Sequence, residues 1–231
     1  RPGRVDVTAW IARTVALERY FSAPWQIIPN GIDTEVFHPS VAVPPAIRKD
    51  VPSILFLGRF DPRNGLTTLI DSFRKVKGKR REAQLVVVGD GPLREHYYKQ
   101  ANGDPDITFV GAVLEGRPSY YAHSSIYACP TTKASFGITL LESMACETPI
   151  VCSDILGFQD VVVNGREALM TRCGDRDALA DALVQLPDDE GLRIQLGTTG
   201  RYESMKYSWP RVTSQVLDVY HTVRGRVAVS V

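Results

Sequence analysis

A doubly wound α/β domain, a parallel sheet flanked by helices, is the fold class the sequence predicts from about residue 51 onward. Three observations carry it. Short segments such as Ser53–Gly58 (SILFLG) and Gln84–Val88 (QLVVV) are almost wholly apolar, the pattern of strands buried on both faces. Between them lie segments with apolar residues at helical spacing, as at Leu66, Leu69, Ile70, Phe73 and Val76, which supply the covers. The apolar segments end in glycine-bearing turns, Gly58-Arg59 and Gly89-Asp90-Gly91-Pro92, where strand gives way to helix.

The elements follow in order. Thr8 to Tyr20 has the spacing of a helix and Trp25 to Ile28 that of one short strand; together they cannot enclose a core. Residues 1–28 therefore read as the remnant of a preceding domain. Pro29-Asn30-Gly31 breaks the strand, and 29–50, with Pro39, Pro44 and Pro45, reads as an interdomain connection. A helix is expected from about Pro92 to Gln100, with proline in its first turn, and a strand over Ile107–Val110. Arg117–His123, Gly137–Cys146 and Phe158–Val163 read as helices. Ile126–Cys129, Pro149–Cys152 and Ala168–Thr171 read as strands. Three helices close the chain, at about Asp175–Leu186, Asp188–Tyr202 and Trp209–Val223.

Composition narrows the function. The 231 residues are 44% hydrophobic, enough for a substantial core in one domain. With 27 basic and 26 acidic side chains the net charge is +1, which gives no support to a nucleic-acid partner or to strong electrostatic membrane attachment. Cys129, Cys146, Cys152 and Cys173 form no close ligand pair, and the four histidines are scattered. No metal site and no disulfide framework are expected, and the setting is read as reducing and cytoplasmic. No apolar run is long enough to span a bilayer.

Ligands of doubly wound sheets sit beyond the carboxyl ends of the strands, so those ends carry the candidate residues. Gly58 permits close backbone approach, and Arg59 offers a bidentate, charge-assisted contact to phosphate, worth roughly 1.5–3 kcal/mol; a surface arginine above an ordinary turn is the plainer reading. Gly91 belongs to a turn that lacks the full G-x-G-x-x-G fingerprint, and a simple strand-to-helix turn explains it as well. The backbone of Val110 and Gly111 can meet the edge of a base.

The segment Ala134-Ser135-Phe136-Gly137-Ile138-Thr139-Leu140-Leu141-Glu142 is the most informative. Ser135-Phe136-Gly137 falls where a strand has ended and a helix starts. Gly137, Ile138 and Thr139 can present free N–H groups to a diphosphate. Glu142, two to three residues into the helix, suits a pair of ribose hydroxyls, or else is a solvent-facing charge favoured by the helix dipole. Lys133 is near enough in sequence to approach phosphate. His96 and His123 have no evident catalytic partners.

Taken together, these motifs closely resemble glycosyltransferase family 4, of two-domain GT-B architecture. The resemblance rests on Gly58-Arg59 with Gly65, on Gly89-Asp90-Gly91-Pro92, and on Ser135-Phe136-Gly137 with Leu141-Glu142-Ser143-Met144-Ala145 and Thr148-Pro149. Pro29-Asn30-Gly31-Ile32-Asp33, Phe37-His38-Pro39 and Ser208-Trp209-Pro210 extend it over nearly the whole chain. It implies the C-terminal half of a GT-B enzyme: a nucleotide-sugar-binding domain over 51–207 and a crossing helix and tail over 208–231. It further implies retaining transfer from a UDP- or GDP-linked sugar to a sugar or lipid-linked acceptor, no metal, a missing N-terminal partner domain, and peripheral membrane contact for the full-length protein. Arg59 would neutralise the leaving diphosphate, Glu142 would bind ribose, and Gly137–Thr139 would hold phosphate.

Two positions depart from the pattern. Ala134 stands where the family usually has a glutamate that contacts the transferred sugar. Asn64 stands where it usually has a lysine, removing a positive charge from the phosphate site; Arg63 or Lys133 can compensate. These departures leave a non-catalytic nucleotide-sugar-binding module as the alternative function. A nicotinamide-dependent oxidoreductase is disfavoured by the incomplete glycine fingerprint.

Overall fold

A computed structural model describes residues 5–6, 26–48 and 50–228. Strands β1 (Val5–Asp6) and β2 (Gln26–Ile27) pair in parallel. The strand expected over Trp25–Ile28 is thus present as β2, while its partner had no sequence signal, since two residues carry no period. The helix expected over Thr8–Tyr20 lies outside the described residues.

The main sheet is built by β3 (Ser53–Leu57), α1 (Leu66–Lys79), β4 (Gln84–Val88), α2 (Arg94–Ala101), β5 (Ile107–Gly111), α3 (Arg117–His123), β6 (Ile126–Cys129), α4 (Ile138–Ala145), β7 (Ile150–Asp154), α5 (Leu156–Gln159) and β8 (Ala168–Arg172). Helices α6 (Arg176–Asp188), α7 (Glu190–Ser204) and α8 (Trp209–Ala228) follow. The strand order is β5-β4-β3-β6-β7-β8, with every neighbouring pair parallel. The chain adds β4 and β5 on one side of β3, then crosses back to add β6 on the other. This reversal opens a crevice between the carboxyl ends of β3 and β6.

Alternation along each strand explains why the central strands are mostly apolar. Leu55, Leu57, Val86, Val88, Tyr127, Cys129, Ile150 and Cys152 enter one core with Tyr121, Leu140, Leu141 and Met144. Their neighbours Ile54, Phe56, Leu85, Val87, Ile126, Ala128 and Val151 enter the other, with Leu66, Leu69, Ile70, Phe73, Leu179 and Leu183. Successive side chains point to opposite faces, so a strand between two helical layers is apolar at most positions, and the buried Ser53 and Gln84 that open β3 and β4 have hydrogen-bonding partners in Ser125 and Arg48. Each Val, Leu, Ile or Phe in these strands contributes roughly 1.5–3 kcal/mol on burial.

Segment 29–50 packs onto this domain: Ile32, Phe37 and Ile47 belong to the first core. Ile32 exchanges backbone hydrogen bonds with the start of α8, its N–H donating to Tyr207 O (2.8 Å) and its carbonyl accepting from Trp209 N–H (3.1 Å). A Cβ on Gly31 would press into the Trp209 ring at 2.5 Å, which accounts for glycine there.

Two boundaries are corrected. The short helix expected over Phe158–Val163 is α5, Leu156–Gln159; Ile155, in extended backbone, leads straight out of β7, and Phe158 is buried within the turn rather than starting it. Helix α2 begins at Arg94 rather than Pro92, because Arg94 N–H turns back to Gly91 O (3.1 Å) across a preceding tight turn.

Candidate functional site

The crevice is framed by loops that lock to one another. Gly58 N–H donates to Val88 O (3.0 Å), Phe60 N–H to Asp90 O (2.9 Å) and Leu93 N–H to Phe60 O (3.3 Å). A Cβ on Gly91 would lie 2.8 Å from both Phe60 N and Phe60 O, and one on Gly89, at φ 146°, would run into the Gly58 carbonyl. The Gly89-Asp90-Gly91 glycines thus serve the close approach of two backbones, the plainer of the two readings of that turn.

Across the switch point, the β3–α1 turn is joined to the loop after β6. Asp61 accepts from Arg63 N–H (3.0 Å) and holds the Arg63 guanidinium through Nε (3.0 Å) and Nη2 (3.2 Å). Those hydrogen bonds lower the Asp61 pKa below the usual carboxylate range. Asn64 Nδ2 donates to Arg59 O (2.7 Å). The Thr132 N–H (2.7 Å) and hydroxyl (3.2 Å) both donate to Arg63 O. Gly65, at φ +75°, starts α1 where any Cβ would meet the Pro130 carbonyl.

Helix α4 opens into the same crevice. Its N-cap is Gly137 at φ +82°, a Cβ there would come within 2.8 Å of the Phe158 ring, and no side chain caps the helix. Its first N–H groups are therefore left for an incoming acceptor. A cleft of about 430 Å³ lies at this end, walled by Arg63, Asn64, Cys129, Thr131, Lys133, Ala134, Ser135, Gly137, Ile138, Thr139 and Phe158. Of the expected residues, Asn64, Gly137, Ile138 and Thr139 are brought together, with Arg63 and Lys133 beside them.

The other expected residues stand outside this wall. Arg59 is exposed on the adjoining loop, close enough to Asp61 to help lower that carboxyl's pKa. Phe136 is 3% exposed and packs edge-on against Tyr207; its side chain faces the core, because the turn must cover the end of the sheet before α4 begins. Val110 packs against the first core. The Gly111 carbonyl accepts from Gly89 N–H (2.8 Å).

Glu142 requires a correction. It lies in the second turn of α4, which starts at Ile138, and at 3% exposure it is not a solvent-facing charge. Its Oε2 accepts from the Tyr121 hydroxyl (2.9 Å) and its Oε1 pairs with Arg117 Nη1 (3.0 Å). Burial raises its pKa, while Arg117 and the Tyr121 hydrogen bond pull it back down. Any sugar hydroxyl reaching this carboxylate would share it with those partners. In the sequence, Tyr121 reads as helix packing and Arg117 belongs to no motif. Their i, i+4 spacing, which puts both on one face of α3, was the available signal.

A larger cavity, about 690 Å³, lies at the opposite end of the sheet, among the residues that precede β3, β6 and β7. Arg48, Arg80 and Arg193 line it, as do Asp50 and Glu147. Helices α1 and α3 end there with Arg80 as C-cap and His123 as last residue, and cations are favoured at helix C-termini. Arg48 is paired with Asp106 (2.9 Å), and Arg80 with Asp188 and with Glu82 (3.6 Å). Its basic residues thus have structural partners. Among the described residues, no group of three or more His, Cys, Asp or Glu is placed to hold a metal ion, and no helix is long and apolar enough to cross a membrane.

Comparison with known proteins bears on the fold and the family. The family model of glycosyl transferases group 1 matches residues 51–189. Phosphatidyl-myo-inositol mannosyltransferase of Mycobacterium leprae (strain TN) is 37% identical over 227 residues, covering 96% of this chain and 59% of that protein. Sucrose-phosphate synthase (tll1590) from Thermosynechococcus elongatus superposes with a TM-score of 0.80 at 26% identity, over 97% of this chain and 59% of that one. The C-terminal domain of a glycosyl transferase group 1 family protein (LpcC) from Francisella tularensis is covered over its whole length, and 78% of this chain, with a TM-score of 0.65 at 25% identity. The chain thus spans 59% of the length of the curated relative, and its fold is that of one domain of the GT-B architecture. By that family match over more than half of its length, the chain belongs to the glycosyl transferases of group 1.

Proposed function

We propose that this chain is the C-terminal, donor-binding part of a retaining family 4 glycosyltransferase, and that the protein transfers a sugar from a nucleoside diphosphate to an acceptor held by an N-terminal domain. The observation that carries this reading is the convergence of Asn64, Lys133 and the uncapped start of α4 on one cleft at the topological switch point. Breaking the bond from the anomeric carbon to phosphate builds negative charge on the departing diphosphate. Oriented N–H groups and nearby cations stabilise that charge more as it grows, which lowers the barrier. Domain closure would exclude water and orient the acceptor. The relative from Mycobacterium leprae is named a mannosyltransferase acting on phosphatidyl-myo-inositol, which favours a mannosyl donor and a lipid-linked acceptor, with the peripheral membrane contact and cytoplasmic setting that such an acceptor suits.

Calorimetry with a panel of UDP- and GDP-linked sugars tests the reading. At least one is expected to bind, and dinucleotides such as NAD are not; the reverse result would end it. The isolated chain is expected to transfer no sugar, since acceptor residues belong to the other domain. A second reading, a binding module without transfer, is favoured by Ala134, which puts a methyl group on the cleft wall where the family places a carboxylate. Donor binding without transfer by the intact protein, over several acceptors, would select it.

A further inference from the structure

We propose that Lys133 is the residue that holds the donor's diphosphate in this chain, delivering from the β6–α4 loop the positive charge that Asn64 does not provide. This deepens the donor-binding reading and rests on it. The cleft has two cations in its wall, Arg63 and Lys133, and no Asp or Glu. Arg63 is committed to Asp61 through both ends of its guanidinium. Lys133 is exposed and has no ion-pair or hydrogen-bond partner among the described residues.

The loop that carries Lys133 is held against the turn that carries Asn64. Thr132, the preceding residue, donates twice to Arg63 O, and Thr131 Oγ1 lies 3.4 Å from Cys129 Sγ. Gly65 and the Pro130 carbonyl meet across the gap. Lys133 therefore springs from a backbone clamped beside position 64, on the same cleft as the free end of α4. A diphosphate entering this space meets an ammonium that loses no internal partner on binding it, whereas recruiting Arg63 would leave Asp61 unpaired. A lysine serves here as a point charge, without the fork geometry an arginine would demand.

The test is titration of the intact protein with UDP and GDP, their nucleosides, and inorganic pyrophosphate. Lys133→Gln is expected to weaken the nucleoside diphosphate and pyrophosphate by about tenfold or more while leaving the nucleoside unchanged. Lys133→Arg is expected to keep most of the affinity. Asn64→Lys placed in the Lys133→Gln background is expected to restore it, which a merely structural lysine would not allow. Lys99→Gln removes the same charge from the exposed face of α2 and is expected to change nothing. If the wild type binds nucleoside diphosphate and Lys133→Gln binds it equally well, or loses nucleoside and diphosphate alike, the assignment to Lys133 fails and the donor-binding reading stands. If the wild type binds neither UDP nor GDP, both fall.

Discussion

The two ends of the main sheet make an instructive pair. The amino end holds the larger cavity and three arginines, the carboxyl end a smaller cleft with one arginine and one lysine. Size and basic-residue count both favour the end opposite the proposed donor cleft. Backbone polarity separates them: helices α1 and α3 finish at the amino end, where cations are favoured, while α1 and α4 begin at the carboxyl end with glycine N-caps and no side-chain cap. An arginine at a helix C-terminus satisfies the helix; a bare helix N-terminus at a strand crossover awaits an anion.

The largest expected effects come from the glycines that hold the carboxyl-end loops together. Gly65→Ala forces a side chain at φ +75° into the Pro130 carbonyl, and a loss of about 2–4 kcal/mol in chemical denaturation is expected. A loss below about 1 kcal/mol would mean that the two loops are not rigidly joined. Next comes Glu142→Ala, which strands the buried Tyr121 hydroxyl and should cost about 1–3 kcal/mol. Glu142→Gln keeps an acceptor for Tyr121 and should cost less, so equal losses would argue against that hydrogen bond.

Arg59→Ala sharpens the boundary of the site. Because Arg59 lies on the adjoining loop rather than in the cleft wall, its role depends on a swing toward phosphate. Diphosphate affinity is expected to fall by about tenfold, with nucleoside affinity unchanged in calorimetry; equal losses would remove Arg59 from the site. At the amino end, Arg80→Ala is expected to leave nucleotide affinity untouched and to change stability by about 1 kcal/mol or less. A marked fall in nucleotide affinity would break the contrast between the two ends.

The smallest effect is an acid one. Hydrogen bonds from Lys77 and Arg48 lower the Asp106 pKa from its ordinary 3.8. The stabilisation is fully present above that ordinary value and is lost as pH falls through the lower folded one. Asp106→Asn should therefore flatten the acid limb of the stability curve in denaturant titrations below about pH 4, and an unchanged limb would show that the pair contributes nothing.

The apolar strands were legible because burial on both faces favours apolar residues at successive positions, so Ile54–Leu57 and Leu85–Val88 announce themselves as unbroken apolar runs. Gly137 and the start of α4 were legible for a similar local reason: a glycine that follows an apolar strand and precedes helical periodicity marks a strand-to-helix turn. The partners of Glu142 were not, since Arg117 and Tyr121 lie on a different helix and meet it only after α3 and α4 pack.

By itself, the sequence determined the layers, the parallel strands and the helix start that faces the crevice, all properties of short windows governed by periodicity and backbone preference. Tertiary structure alone decided which charges share a cleft. It set Lys133 beside Asn64 and enclosed Glu142 with Arg117 and Tyr121. Electrostatic partnership depends on distance through space, and residues from separate strand-end loops acquire that distance only when the strand order brings β3 and β6 side by side.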